Sequence, residues 1–323
     1  ADAYEAVVFH RGPLTAVQEN LMRDLGEDGL AGRLHANVAL QPVDLDQPTA
    51  PELMEAWQQL GAKTLPWLLV RHPGAAGAIV RAWSGPLVDA SPRQLFDSPA
   101  RQEIIRRLTN GETTVWVLLE SGDPARDAAA AQVVGQRLAY LTSVLKLPQL
   151  DPQDIAAGLV SVPAGGLKVA FSVVRVSRAN PAEAVFVNML LGTEPDLVGL
   201  KEPMLFPIFG RGRALYALAG AGINHETIDE AASFLTGRCS CQVKELNPGV
   251  DLLLAADWDS LVKTSPDAER DRPALLAAVA GAAPVTVLIS GDNPSALQAK
   301  SSLPGVFALL TFFIAGFAWV WRR

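Results

Sequence analysis

At 323 residues, 49% of them apolar, the chain has material for more than one packed core. A net charge of −7 with no basic stripe to offset it excludes nucleic-acid binding as a main role. No motif in the sequence identifies a reaction.

The first hundred residues alternate strand and helix patterns. Residues 6–9 (Ala-Val-Val-Phe) read as a strand, and 13–25 as a helix with Leu14, Val17, Leu21 and Leu25 at helical spacing. A second strand spans 38–45. Thr49 or Ala50 caps the next helix, with Pro51 in its first turn and Glu52 beside the positive end of the dipole; it runs to Leu60 and stops at Gly61. Residues 64–70 form a third strand, and His72-Pro73-Gly74 turns the chain toward 79–83.

This order resembles the thioredoxin fold. Val43-Asp44-Leu45-Asp46, a helix, Gly61-Ala62-Lys63 and then Thr64-Leu65-Pro66-Trp67-Leu68-Leu69-Val70 match the central stretch of that family, in which a cis proline precedes the next strand beside the active site. Pro66 occupies that place. The family's Cys-x-x-Cys is missing: His10-Arg11-Gly12-Pro13-Leu14-Thr15 stands there, and without a thiolate dithiol exchange at this site is excluded. The resemblance implies a fold and no activity.

Residues 84–111 read as a connector with a short helix at 101–108, and Asn110-Gly111 turns into a second unit. A strand at 113–119, the loop Glu120-Ser121-Gly122-Asp123-Pro124 and a helix at 125–145 repeat the opening order of the first unit, again without cysteine. Residues 168–176 and 185–191 are rich in β-formers. Glu202-Pro203 followed by an apolar run to Phe209 echoes Leu65-Pro66, which puts Pro203 where Pro66 lies. An apolar helix is expected at 214–219, and another opens at Asn224-His225-Glu226 and stops at Gly237. A hairpin pairs 242–246 with 250–255 across Asn247-Pro248-Gly249. A charged loop (264–273), an Ala-rich helix (275–283), a strand (284–289) and a polar stalk follow.

Residues 303–321 carry no formal charge. At ~1.5 Å per residue they reach the ~30 Å of a bilayer's hydrocarbon core. Leu303, Phe312, Phe313 and Gly316 belong to this anchor, Trp319 and Trp321 lie at its aromatic belt, and Arg322-Arg323 mark the cytoplasmic side. Leu303-Pro304-Gly305-Val306 is no sortase signal, and the Pro-Glu-Pro of an exosortase tail is absent, so a retained anchor is expected. A removed signal peptide accounts for a start at Ala1, as does truncation.

Four groups of residues are site candidates. Cys239-Ser240-Cys241 is the only cysteine pair; a structural disulfide or packed thiols, a redox or partner contact, and a soft metal site all stay open. Gly210-Arg211-Gly212-Arg213 offers backbone amides and two guanidinium groups, Arg211 and Arg213, to an acidic partner surface, or forms a tight turn with solvated arginines. Asp44/Asp46 and Asp257/Asp259 read as turn residues before acid–base pairs, and Ser121-Gly122-Asp123 lacks a nucleophile elbow. Trp57, Trp67, Trp83 and Trp116 read as core. The stretch from Phe206 through the cysteine pair and Asn247-Pro248-Gly249 resembles uncharacterised membrane-anchored bacterial proteins associated with ABC-type export systems.

The expected class is therefore α/β: two degenerate thioredoxin-like domains in tandem (1–109 and 110–290), a stalk (291–302) and a transmembrane anchor (303–323). The expected role is a non-enzymatic, extracytoplasmic (periplasmic) accessory or scaffold subunit. It contacts integral membrane subunits through surfaces near Pro66, Pro203, Arg211 and Arg213, contacts lipid through the anchor, and needs no cofactor. The rival is a membrane-anchored redox or copper-handling protein using Cys239 and Cys241.

Overall fold

Tyr4, Ala6, Val7, Val8 and Phe9 are all fully buried, so β1 (Tyr4–His10) has both faces covered and lies inside a sheet rather than at its edge. The computed structural model is mixed α/β with two sheets, and it describes residues 1–62, 64–73, 81–147, 169–237 and 249–261. The expected helix at 275–283, the strand at 284–289, the stalk and the anchor lie outside the described residues, as do Cys239 and Cys241. Among the described residues no helix is long and apolar enough to cross a membrane.

The first sheet has the order β2-β1-β3-β4. After β1 come α1 (Ala16–Leu25), α2 (Leu30–Arg33), β2 (Val38–Asp44), α3 (Pro51–Leu60), β3 (Trp67–Arg71) and β4 (Arg81–Pro86). β2 runs parallel to β1, whereas β3 is antiparallel to β1 and to β4. Thr15 forms a capping box with Gln18 at the start of α1, so the helix begins three residues later than its periodicity suggests. Gly61, at φ 60°, ends α3 in the left-handed conformation that glycine accepts without a Cβ penalty.

The expected connector is mostly helical: α4 (Pro92–Phe96) and α5 (Pro99–Thr109) follow a 3₁₀ turn at Leu87–Asp89. Ser91 and Ser98 cap the two helices, each with proline in the first turn. Arg101, Ile104 and Leu108 line the buried face of α5 at helical spacing.

The second sheet has six strands, in the order β10-β8-β7-β5-β6 with β9 also on β7. It comprises β5 (Thr114–Glu120), β6 (Phe171–Ser177), β7 (Met204–Phe209), β8 (Arg213–Ala214), β9 (Leu218–Ala219) and β10 (Val250–Asp251). β5 and β6 are parallel, and β7 is antiparallel to β5. The helices are α6 (Pro124–Val144), α7 (Ala184–Leu191), α8 (His225–Thr236) and the short α9 (Trp258–Leu261). Asp123 caps α6 and Asn224 caps α8.

Three expectations are corrected here. Residues 184–191 are helix, not strand: Val185, Phe186, Val187, Met189 and Leu190 are all buried, and a run buried on nearly every side carries no period to separate helix from strand. Residues 214–219 are two short strands flanking a bend, because β7 offers its free side to both. Of the expected strand at 250–255, Val250–Asp251 alone pairs, antiparallel to β8.

Both sheets lie within one compact unit, Ala1–Leu288. A single apolar cluster runs from Tyr4, Val8 and Leu68 through Phe96 and Ile104 to Val117, Phe186, Phe206 and Leu253. Polar groups are buried where the halves meet. Arg101, fully buried, donates from Nη2 to Gln94 O at 2.7 Å, from Nη1 to Leu95 O at 2.8 Å and Leu253 O at 3.5 Å, and from Nε to Ser98 Oγ at 3.1 Å. Glu183 Oε1 accepts from the Ala100 amide at 2.8 Å, Asp251 from the Asp2 amide at 2.6 Å, and Ala82 O from Asn188 at 3.2 Å.

Candidate functional site

Phe9 pairs with Trp67 and His10 with Asp44, so Pro66 stands beside the carboxyl end of β1 and the loop that follows it. The Leu65–Pro66 bond is cis. Pro66 O accepts from the Leu87 amide at 2.9 Å, which ties the start of β3 to the residue after β4. In the loop, His10 Nδ1 lies 2.9 Å from Gly12 O; a carbonyl only accepts, so this nitrogen carries the proton. Arg11 and Asp46 approach to 3.7 Å with both side chains more than half exposed, a solvent-screened contact.

The second sheet repeats this end. Leu119 pairs with Met204, so Pro203 stands beside the carboxyl end of β5. Pro203 O accepts from the Gly220 amide at 2.9 Å, the residue after β9, as Pro66 O accepts from the residue after β4. Pro203 is buried and Pro66 half-buried. Asp127, buried, accepts from the Ser121 amide and hydroxyl at 2.7 Å each and from the Gly122 amide at 3.0 Å. The Ser121 hydroxyl also accepts from the Asp123 amide at 3.1 Å, so its role is to shape the turn. The Arg126 amide and then its guanidinium hold the Asp123 carboxyl below the ordinary range. Arg126 also reaches Glu202 at 2.9 Å, and Arg178 donates to Leu200 O at 3.0 Å and Glu202 O at 3.2 Å. This end is braced across α6, β6 and the approach to β7.

The two arginines of the glycine-rich turn separate in role. The turn joins β7 to β8, with Gly210 at φ 59° and Gly212 at φ 96°. No helix follows, so no helix N-terminus reinforces an anion site there. Arg213 pairs with Asp251 at 2.9 Å, with side chains 16% and 6% exposed, while Arg211 is exposed. Arg213→Ala is therefore expected to cost about 3 kcal/mol by leaving Asp251 buried without its cation. Arg211→Ala should stay within about 1 kcal/mol. Urea denaturation of the two variants checks the contrast, and equal midpoints would refute it.

Of the remaining candidates, Asp44 accepts from the Asp46 amide at 3.0 Å and Asp257 from the Ser260 amide at 3.1 Å, both local turns. Trp116 is fully buried; Trp67 donates to Ser84 Oγ at 2.8 Å. Among the described residues no three His, Cys, Asp or Glu side chains group as a metal cluster. The buried polar joint of Tyr4, His72, Arg101, Glu183 and Asp251 was not anticipated. Its one local signal was Arg101 falling in the apolar register of Ile104 and Leu108.

No protein-family model matches the chain, and no curated protein matches it in sequence.

Proposed function

We propose that this chain is a non-enzymatic extracytoplasmic scaffold or accessory subunit of a membrane complex, built from two thioredoxin-like halves and held by the apolar segment 303–321. The observation that carries the reading is the repetition of one sheet end. In both halves a parallel βαβ unit is followed by an antiparallel strand, with proline just before that strand and its carbonyl bonded to the residue that follows an antiparallel partner of that strand, β4 in the first half and β9 in the second. Neither end has a thiol among its described residues, and the polar groups of the second are spent on bracing the loop. A rigid surface without an activated nucleophile suits docking better than turnover.

The sheet edges favour docking through ends and helix faces over strand addition. Pro42 removes a donor from β2, whose Val38 amide turns back onto Ala36 O at 2.9 Å. Asn188 occupies Ala82 O on β4, and Arg107 occupies Val173 O on β6 at 3.0 Å. Membrane attachment is supported by the uncharged run closed by Arg322-Arg323.

Native mass spectrometry of the complex after gentle solubilisation, with thiol labelling before and after reduction, tests this. Stoichiometric membrane subunits are expected, and Cys239→Ser/Cys241→Ser should leave the assembly intact. A lone chain carrying copper, or losing function with its cysteines, would replace the scaffold by the redox or copper-handling reading.

A further inference from the structure

His72 follows β3 at the joint between the halves and is 3% exposed. Its ring stands 5.0 Å from that of Tyr4, whose hydroxyl lies 3.3 Å from Nδ1, and Nε2 is buried without a hydrogen-bond partner. The carboxylates of the joint are engaged away from the ring: Glu183, just before α7, accepts from the Ala100 amide at 2.8 Å, and Asp251 pairs with Arg213 at 2.9 Å. From β1 comes Tyr4, itself under the opposing influences of Arg101 on α5 and Asp251 next to the segment that crosses the joint. Arg71, the neighbouring residue, is paired with Glu5, and Arg81 on β4 is exposed. No residue of α7 is ionisable, and neither is any side chain of 73–80. Burial lowers the imidazole pKa to about 4, opposed by the Asn188 backbone, which approaches the ring without reaching hydrogen-bond geometry.

We propose that His72 makes this joint acid-labile, so that its protonation parts β4 from α7 while the second sheet keeps its order. The closed joint holds a neutral imidazole; an opened joint exposes one with an ordinary pKa of about 6.5. The opened form therefore binds more protons between about pH 4 and 6.5, and opening rises as pH falls through that window. From pH 7 to pH 5 the opening equilibrium grows roughly 20-fold.

Amide hydrogen exchange on the full-length protein in detergent, normalised to the intrinsic rate at each pH, reads this by segment. Protection in β4 and α7 should fall roughly 20-fold from pH 7 to pH 5 while β5 holds, and His72→Leu and His72→Gln should abolish the fall. A parallel loss in β5, or the same profile in either variant, overturns the proposal. Constant wild-type protection in β4 and α7 overturns it as well, even where neither variant folds.

Discussion

Arg101→Met is expected to lower stability by about 3–5 kcal/mol, although methionine fills much of the same space. Arg101 is fully buried on α5 and spends its guanidinium on Gln94 O, Leu95 O, Leu253 O and Ser98 Oγ. Burial pulls its pKa down to about 10, opposed by Asp97, Glu183 and Tyr4, so it remains a cation at neutral pH. Methionine relieves the desolvation of that charge but leaves the carbonyls without donors, each costing about 1–3 kcal/mol when buried. Several stranded acceptors outweigh one relieved cation. Arg101→Lys should fall between, because a single ammonium cannot reproduce the planar fork. Denaturant midpoints settle the order. A methionine variant as stable as wild type would mean that these carbonyls find other donors and that Arg101 does not hold the joint. Because one acceptor, Leu253, is 152 residues away, loss of the fork should also release the 252–255 segment, visible as faster hydrogen exchange there.

Trp116→Ala should cost about 3–5 kcal/mol, with Trp116→Phe costing only about 1 kcal/mol. Trp116 sits at the middle of β5, a strand buried from Thr114 to Leu119, opposite Pro207 on β7 and Val173 on β6. The ring of Phe171 meets it edge-on at 6.3 Å. Its indole Nε1 is buried with no acceptor, so phenylalanine removes an unpaired donor as well as ring volume. The two effects oppose each other, which keeps that loss small, whereas alanine leaves a cavity in a sheet covered on both faces. Comparable losses for the two variants in urea would show that the indole N–H is satisfied, and the packing argument would fail.

The elements that the sequence places well share one property: their pattern is local. β2, α3, β5, β7 and α8 follow from apolar spacing with proline, glycine, threonine or asparagine at the ends, and these residues act on backbone within a turn of themselves. The run 184–191 fails for the converse reason, since burial on nearly every side erases the period. In the tract 84–111 the helix expected at 101–108 is α5, two residues longer at its start, whereas α4 is hidden because arginine and glutamine dilute its apolar face.

By itself the sequence determined the α/β alternation, the prolines that precede β3 and β7, and the lack of a thiol at the carboxyl ends of β1 and β5. Those are properties of residues and their near neighbours. The tertiary structure alone decided which charges are structural. Arg213 reads as an exposed basic residue until Asp251, 38 residues away, takes it up; Tyr4 and His72 meet across 68 residues, and the Asp2 amide reaches Asp251 across 249. A charge is costly to bury without a partner, and here the partners come from strands and helices that only folding brings together.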